Sequence, residues 1–398
     1  MKNNLTLLPL LLLLLSTACK KQETQQEPVS AGLSLDNKLA VNAPITTLAY
    51  TTDHTYNLNV VYFVPNDVPA VANYQSRLSE ILINLQTFYK NEMSRNGYGM
   101  KTFGLYKDGA NVRIITINGA YGKSQYPYSG GNGAVWSEVQ AYKTAHPTEF
   151  DSDHYLIILP AYSYNASGEP SGGPFYGTGR VCYALDYNGM AYSALGTGGT
   201  AGTRATKWIG GMAHELGHGL NLPHNKGQVY QTTALGTALM GAGNYTYGIS
   251  PTFLTHADCA ILNQNQVFQN STSITYHGAV TSSLTALTAN YNASTQTIQA
   301  SGSFASTVTV KSVDIYLDPN VNNEGTGGNT DYNAVAFKQD ISSGTSFNIN
   351  MKVSELYEKA NTPYQMKIRL ICQNGVVKTY NYSFSFVNGV PNINITAP

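Results

Sequence analysis

The sequence predicts an α+β domain, with a mixed twisted sheet and one long histidine-bearing helix, followed by an all-β sandwich. Three observations predict it. Between residues 56 and 268, short apolar β-branched runs alternate with segments of helical periodicity. Beyond about residue 279, strand-like runs alternate with Gly, Asn and Ser turns and the helical period disappears. At 398 residues and 42% hydrophobic content, the chain is long enough and apolar enough for two cores.

In the first domain, residues 56–64 are apolar and β-branched, hence a strand. Leu78, Ile81, Leu82, Leu85, Phe88, Tyr89 and Met93 follow at helical spacing, with Gly97 where a C-terminal cap belongs. Residues 102–106 and 112–117 read as strands separated by a turn at Asp108-Gly109, and 134–145 as a helix ended by His146-Pro147. The fully apolar run 155–159 suits a central strand. Residues 167–179 are Gly-rich loop, and 181–185 form a short strand at a sheet edge. A helix over 205–220 has the apolar face Trp208, Ile209, Met212, Ala213, Leu216 and Leu220. Another starts at Thr255, where Asp258 supplies a partial capping box, and runs to about residue 263. In the second domain the strands expected are 297–300, 307–317, 346–351, 364–372 and 377–386, an Ig-like sandwich pattern. The resulting division is 1–18 leader, 19–50 tether, 51–275 first domain and 279–398 sandwich, with the boundary between residues 270 and 284.

The leader rests on Lys2, an apolar run over residues 5–15 and the small residues Ser16, Thr17 and Ala18 before Cys19. That run is too short for an ordinary spanning helix. The pattern resembles a bacterial lipobox, with Ser16 where Leu is more usual. It implies a lipidated Cys19 and a protein anchored in the cell envelope, at the periplasmic or outer face of an outer membrane, or otherwise secreted. Residues 20–28, rich in Lys, Gln and Glu, read as the tether.

Lys+Arg and Asp+Glu balance at 23 each, and only 12% of residues are charged. A nucleic-acid partner would need a clustered positive excess, so that class is excluded. Cys182, Cys259 and Cys372 remain after Cys19; Cys182 with Cys259 is a conceivable disulfide in an exported protein, three buried thiols the other reading. The absence of a Cys-x-x-Cys pair leaves a cysteine-based zinc site without support.

The chemistry lies in His214-Glu215-Leu216-Gly217-His218-Gly219-Leu220-Asn221-Leu222-Pro223-His224. On a helix, His214 and His218 project from one face and can bind one ion. Imidazole suits zinc, a borderline ion that accepts tetrahedral geometry. Glu215 stands beside the metal but not on it. For His224 to reach the same ion the chain must leave the helix sharply at Asn221, a residue type that tolerates the left-handed conformation. Three histidines leave one coordination position open, as a catalytic site needs. With 8 His in the chain, the chance expectation for this pattern is on the order of 10⁻⁴.

This segment resembles the extended zinc motif of the metzincin metallopeptidases, His-Glu-x-x-His-x-x-Gly-x-x-His, with Asn221 in the usual Gly position. The resemblance implies a Met-turn beneath the metal, for which Met240 in Ala238-Leu239-Met240-Gly241 is the candidate. Some metzincins place a Tyr two residues after that Met; here the residue is Ala242, which leaves Tyr245 or Tyr247 as candidates to approach the site. The stretch Arg95-Asn96-Gly97-Tyr98-Gly99-Met100-Lys101-Thr102-Phe103, with Phe253-Leu254-Thr255, is also similar to a group of predicted zinc peptidases of fungi and bacteria.

The implied activity is zinc-dependent endopeptidase cleavage of extracellular or periplasmic proteins. Zinc would supply an acidified water and a polarised carbonyl, while Glu215 would act as general base and then acid. An extended protein or peptide substrate would pair with an edge strand, expected at residues 181–185. Two other readings are a binding or adhesion lipoprotein on the same scaffold and a zinc hydrolase of a non-peptide amide. The intact Glu215 favours catalysis over the first; a substrate screen separates the second.

Weaker signals carry less. Asp318, Asn320, Asn322 and Glu324 place oxygen ligands at alternate positions, but the loop lacks the Gly and the acidic twelfth residue of an EF-hand, so calcium yields to an Asn-rich turn. His54, His146, His154, His256 and His277 have no ligand spacing and read as structural or surface residues.

Overall fold

The computed structural model describes residues 49–322 and 331–397. The leader, Cys19 and nearly all of the tether fall outside the described residues. Among the described residues no helix is long and apolar enough to cross a membrane.

The first domain is organised by four strands, β1 (Asn59–Val64), β2 (Ile115–Asn118), β3 (Tyr155–Pro160) and β4 (Val181–Asp186), in the order β2-β1-β3-β4. All three pairings are parallel. The sheet is therefore parallel where a mixed one was expected; antiparallel pairing in this domain is confined to short ribbons and isolated bridges. The reason is visible in β1 and β3, whose residues are all buried and nearly all apolar, as happens when both faces of a parallel sheet are covered. The residue-102–106 strand does not form. Gly104 makes only a bridge to Asn57, and a Cβ there would lie 2.6 Å from the Tyr56 carbonyl oxygen.

Five helices accompany the sheet: α1 (Tyr74–Arg95), α2 (Gly131–Ala145), α3 (Gly199–Gly219), α4 (Val229–Leu235) and α5 (His256–Leu262). The capping box expected at the start of α5 is present, with Thr255 and Asp258 bonding each other's backbone amides. Arg77 on α1 grips Asp186 at the end of β4 through two N–H donors, each at 2.9 Å. The Tyr62 hydroxyl donates to the same buried carboxylate at 3.1 Å. The segments around Arg95 and Phe253 do meet: Arg95 donates to the Leu254 carbonyl at 2.6 Å, and the Leu254 amide donates to Glu92 at 2.8 Å. Cys182 and Cys259 are buried and unpaired, so the conceivable disulfide between them is absent.

The second domain comprises β5 (Ser282–Asn292), β6 (Thr297–Ser306), β7 (Val310–Pro319), β8 (Val335–Asp340), β9 (Ser346–Lys352), β10 (Pro363–Cys372), β11 (Val377–Val387), β12 (Val390–Asn392) and β13 (Asn394–Ala397). They form two antiparallel sheets, β9-β6-β5-β13 and β8-β7-β10-β11-β12, that share one core. Strand β7 is buried on both faces. Val313, Ile315 and Leu317 enter the sandwich core, whereas Tyr316 joins Ala334, Ala336 and Ala257 of α5 in a separate cluster between the domains. The docking is bonded as well as packed. The Lys226 amide donates to the Ala334 carbonyl at 2.7 Å, Gln228 to the Ala336 carbonyl at 2.8 Å, and the Tyr357 hydroxyl to the Gly227 carbonyl at 3.0 Å.

Candidate metal centre

Helix α3 packs on β4 and β3 and delivers His214 and His218 from its last turns. Beyond it the backbone reverses at Asn221, whose φ of 71° is the left-handed conformation its position requires. His224 then returns to the same point: one ring nitrogen from each of His214, His218 and His224 lies within 4.8 Å of the others, a group that could hold a metal ion.

The tautomers follow from the neighbours. A carbonyl can only accept, so the Nδ1 of His214 donates to Leu239 at 2.7 Å and the Nδ1 of His218 donates to Leu222 at 2.8 Å. In the neutral rings this leaves both Nε2 lone pairs bare. Burial first, then the neighbouring imidazoles, hold His214 down at about 3, and the same causes hold His218 at about 4. The His218 Nε2 stands 2.9 Å from the His224 Nε2. A cation between these nitrogens satisfies all of them, and such second-sphere carbonyls are the usual orienting partners of ligating histidines. The donor set therefore fits zinc.

Met240 is fully buried and packs close against α3: a Cβ added to Gly217 would come within 2.3 Å of its sulfur. The turn that carries it is bonded to both sides of the site, through the Leu239 carbonyl to His214 and through the Met240 carbonyl, which accepts from the Asn225 amide at 3.1 Å. Glu215, next to His214 on α3, has its carboxyl pushed up to about 8 by burial, an effect opposed by a hydrogen bond from the Gly177 backbone. A bound cation would oppose it further.

Gly177 belongs to the Gly-rich loop before β4, and its Cβ would lie 2.1 Å from the Cβ of His218. This loop alters the expected substrate strand. Strand β4 is the sheet edge, but its free side is bonded by the chain itself, with the Thr178 amide donating to Val181 at 2.7 Å and the Tyr183 amide to Tyr176 at 3.0 Å. The backbone that borders this edge next to His218 is therefore residues 176–178, antiparallel to β4, not β4.

Of the two tyrosines considered for the site, Tyr245 is exposed and Tyr247 packs on Phe88. The tyrosine that does reach the centre is Tyr332 of the second domain, stacked on His224 with ring centroids 3.8 Å apart. No spacing rule in the sequence points to it. Calcium at residues 318–324 loses its first ligand, because the buried Asp318 carboxylate is ion-paired with Lys367 at 2.9 Å; Asn323 and Glu324 lie outside the described residues. His154 is a buried structural histidine, bonded through Nδ1 to the Gly219 carbonyl at 2.8 Å.

No protein-family model matches the chain, and no curated sequence does. Solved structures do. Wild-type OgpA from Akkermansia muciniphila, in two crystal forms, is 35% identical, with TM-scores of 0.78 and 0.79. The matches cover 87% of this chain and 96% of OgpA in one form, and 90% and 100% in the other. Catalytically inactive OgpA in complex with an O-glycopeptide substrate, glycodrosocin, is 37% identical, with a TM-score of 0.78 over 83% of this chain and 93% of that one. With identity at this level across almost the whole of both proteins, the chain belongs to the OgpA family.

Proposed function

We propose that this chain is a zinc-dependent endopeptidase of metzincin type that cleaves O-glycosylated peptides and proteins in the periplasm or outside the cell. The observation that carries the reading is the convergence of His214, His218 and His224, the first of them followed in the chain by Glu215. A relative matched over 83% of this chain, solved in complex with an O-glycopeptide substrate, supports the substrate class.

Zinc, when bound, supplies Lewis acidity toward a scissile carbonyl and acidifies water. The other work falls to the chain. The three imidazoles hold the ion and leave a position open. Glu215 accepts the proton of the attacking water and passes it to the leaving amine. The backbone of residues 176–178 aligns an extended substrate by strand addition. The second domain is an Ig-like sandwich docked onto this site. Cys19 carries a lipid that keeps the enzyme in the cell envelope, a reading supported by the leader alone.

The test compares zinc-loaded wild type with Glu215→Ala on two peptides of one sequence, one bearing a single sugar on Ser or Thr, with products read by mass spectrometry. Wild type is expected to cleave the glycosylated peptide at least about tenfold faster than the bare one. Glu215→Ala should cleave neither. Equal turnover by Glu215→Ala removes the peptidase reading; equal rates on both peptides remove only the requirement for the sugar.

A further inference from the structure

We propose that Tyr332 is a positioning residue of the metal centre: from the second domain, its ring holds His224 in the orientation that ligates the ion. The proposal rests on the zinc reading above and goes beyond it, because it makes the sandwich domain part of the catalytic site.

The three ligands do not all stand on one element. His214 and His218 stand on a helix, and each ring is fixed by an Nδ1 donor to a backbone carbonyl. His224 stands past the helix on the returning chain, and its ring meets the second domain. Tyr332 lies flat on it, at 3.8 Å between centroids and 25° between planes, and is nearly parallel to His214 at 6.2 Å. An imidazole that ligates a dication is electron-poor, so the face of a phenol ring is a favourable surface for it.

Tyr332 is itself firmly set. Its neighbour Asp331 adopts a left-handed φ of 67° and is tied to Lys367 at 2.6 Å. Lys367 also holds the buried Asp318 at the end of β7, at 2.9 Å. The Asp331 carbonyl accepts from the Ala334 amide at 2.9 Å, and the Ala334 carbonyl accepts from Lys226, two residues after His224. Tyr332 and His224 are thus joined twice, by the stack and by a short run of backbone bonds. The domain interface closes at the third ligand.

The test measures zinc dissociation constants of the full chain, by competition with a chromophoric chelator, together with the visible absorption of the Co²⁺ form. The variants are Tyr332→Phe, which keeps the ring, Tyr332→Leu, which keeps apolar bulk without an aromatic face, and Tyr332→Ala. Tyr332→Phe should bind zinc within about twofold of wild type, while the Leu and Ala variants should lose about 10- to 100-fold and shift the Co²⁺ spectrum. Thermal unfolding of the metal-free forms separates this loss from misfolding, and Tyr332→Leu carries the test if Tyr332→Ala does not fold. Wild-type affinity and spectrum in Tyr332→Leu would overturn the proposal, as would an equal loss in Tyr332→Phe. Failure of the wild type to bind zinc would instead bring down the zinc reading itself.

Discussion

The sulfur of Met240 lies so close beneath Gly217 that a single added methyl carbon would approach it to 2.3 Å. Helix α3 and the turn bearing Met240 are in contact at the point where His214 and His218 leave the helix. A side chain at 217 must displace the buried Met240 thioether or push the helix or the turn, and the Leu239 carbonyl that orients His214 moves with the turn. Gly217→Ala is therefore expected to cost about 1–3 kcal/mol, the range for overpacking a filled core, and to weaken zinc binding. In a Met240→Ala background the same change should cost less, since the clash has been removed. Thermal unfolding of the four proteins of this cycle measures the difference, and additive costs would mean that the two residues do not press on one another.

Asn221 gives a second prediction. Its φ of 71° disfavours a Cβ, but Asn tolerates this conformation better than most residues and Gly adopts it freely. Asn221→Ala is expected to destabilise the protein by about 1–2 kcal/mol, and Asn221→Gly should be neutral within a few tenths. If Ala proves as stable as Gly in thermal melts, the left-handed reversal is not what constrains this residue.

These residues were legible in the sequence because the rules that govern them are local. Four-residue spacing on a helix brings His214 and His218 together, and an Asn before Leu222-Pro223 marks the reversal. Met240 stood out only through a resemblance, since a lone Met carries no spacing signal. Tyr332 was not legible at all: it reaches His224 through the docking of two domains, a contact without sequence periodicity. The pairing of residues 176–178 with β4 was hidden for a different reason, because a Gly-rich run shows no alternation of apolar and polar residues. Strand β5 was missed because its apolar face is weak. Its sequence alternates Ser, Thr and Asn with small apolar residues, and only Leu287 and Ala289 are buried.

The 176–178 segment predicts a catalytic defect without loss of fold. Gly177 sits against His218 and donates its amide to Glu215, and a Cβ there would lie 2.1 Å from the His218 Cβ. The segment lies outside the core sheet and hangs on β4 by two backbone bonds, so it yields before helix α3 does. Gly177→Ala should keep its melting temperature to within a few degrees and yet lose on the order of 10²-fold in kcat/KM, as expected for a displacement of about 1 Å at a reacting centre. A glycopeptide assay alongside a thermal melt distinguishes this from general destabilisation; wild-type kinetics would show that the loop does not set the position of Glu215.

His154 couples the base of the site to pH. It is fully buried at the start of β3, its Nδ1 donates to the Gly219 carbonyl at the end of α3, and its Nε2 has no hydrogen-bond partner. Burial is the main cause that holds it down at about 3, and the Gly219 hydrogen bond only partly opposes this. His277, 5.3 Å away between ring centroids, and Arg180 add smaller repulsions. A histidine whose folded pKa lies below its unfolded value of about 6.5 contributes stability that is complete above that value and is lost as pH falls toward the folded pKa. One proton taken up on unfolding corresponds to a slope of about 1.4 kcal/mol per pH unit across that window. His154→Asn, which retains a donor toward Gly219 but does not titrate, should flatten the fall in stability between about pH 6.5 and pH 4 by that much. Denaturant unfolding of the metal-free protein at a series of pH values measures it. An unchanged slope would mean that His154 takes up no proton when the protein unfolds.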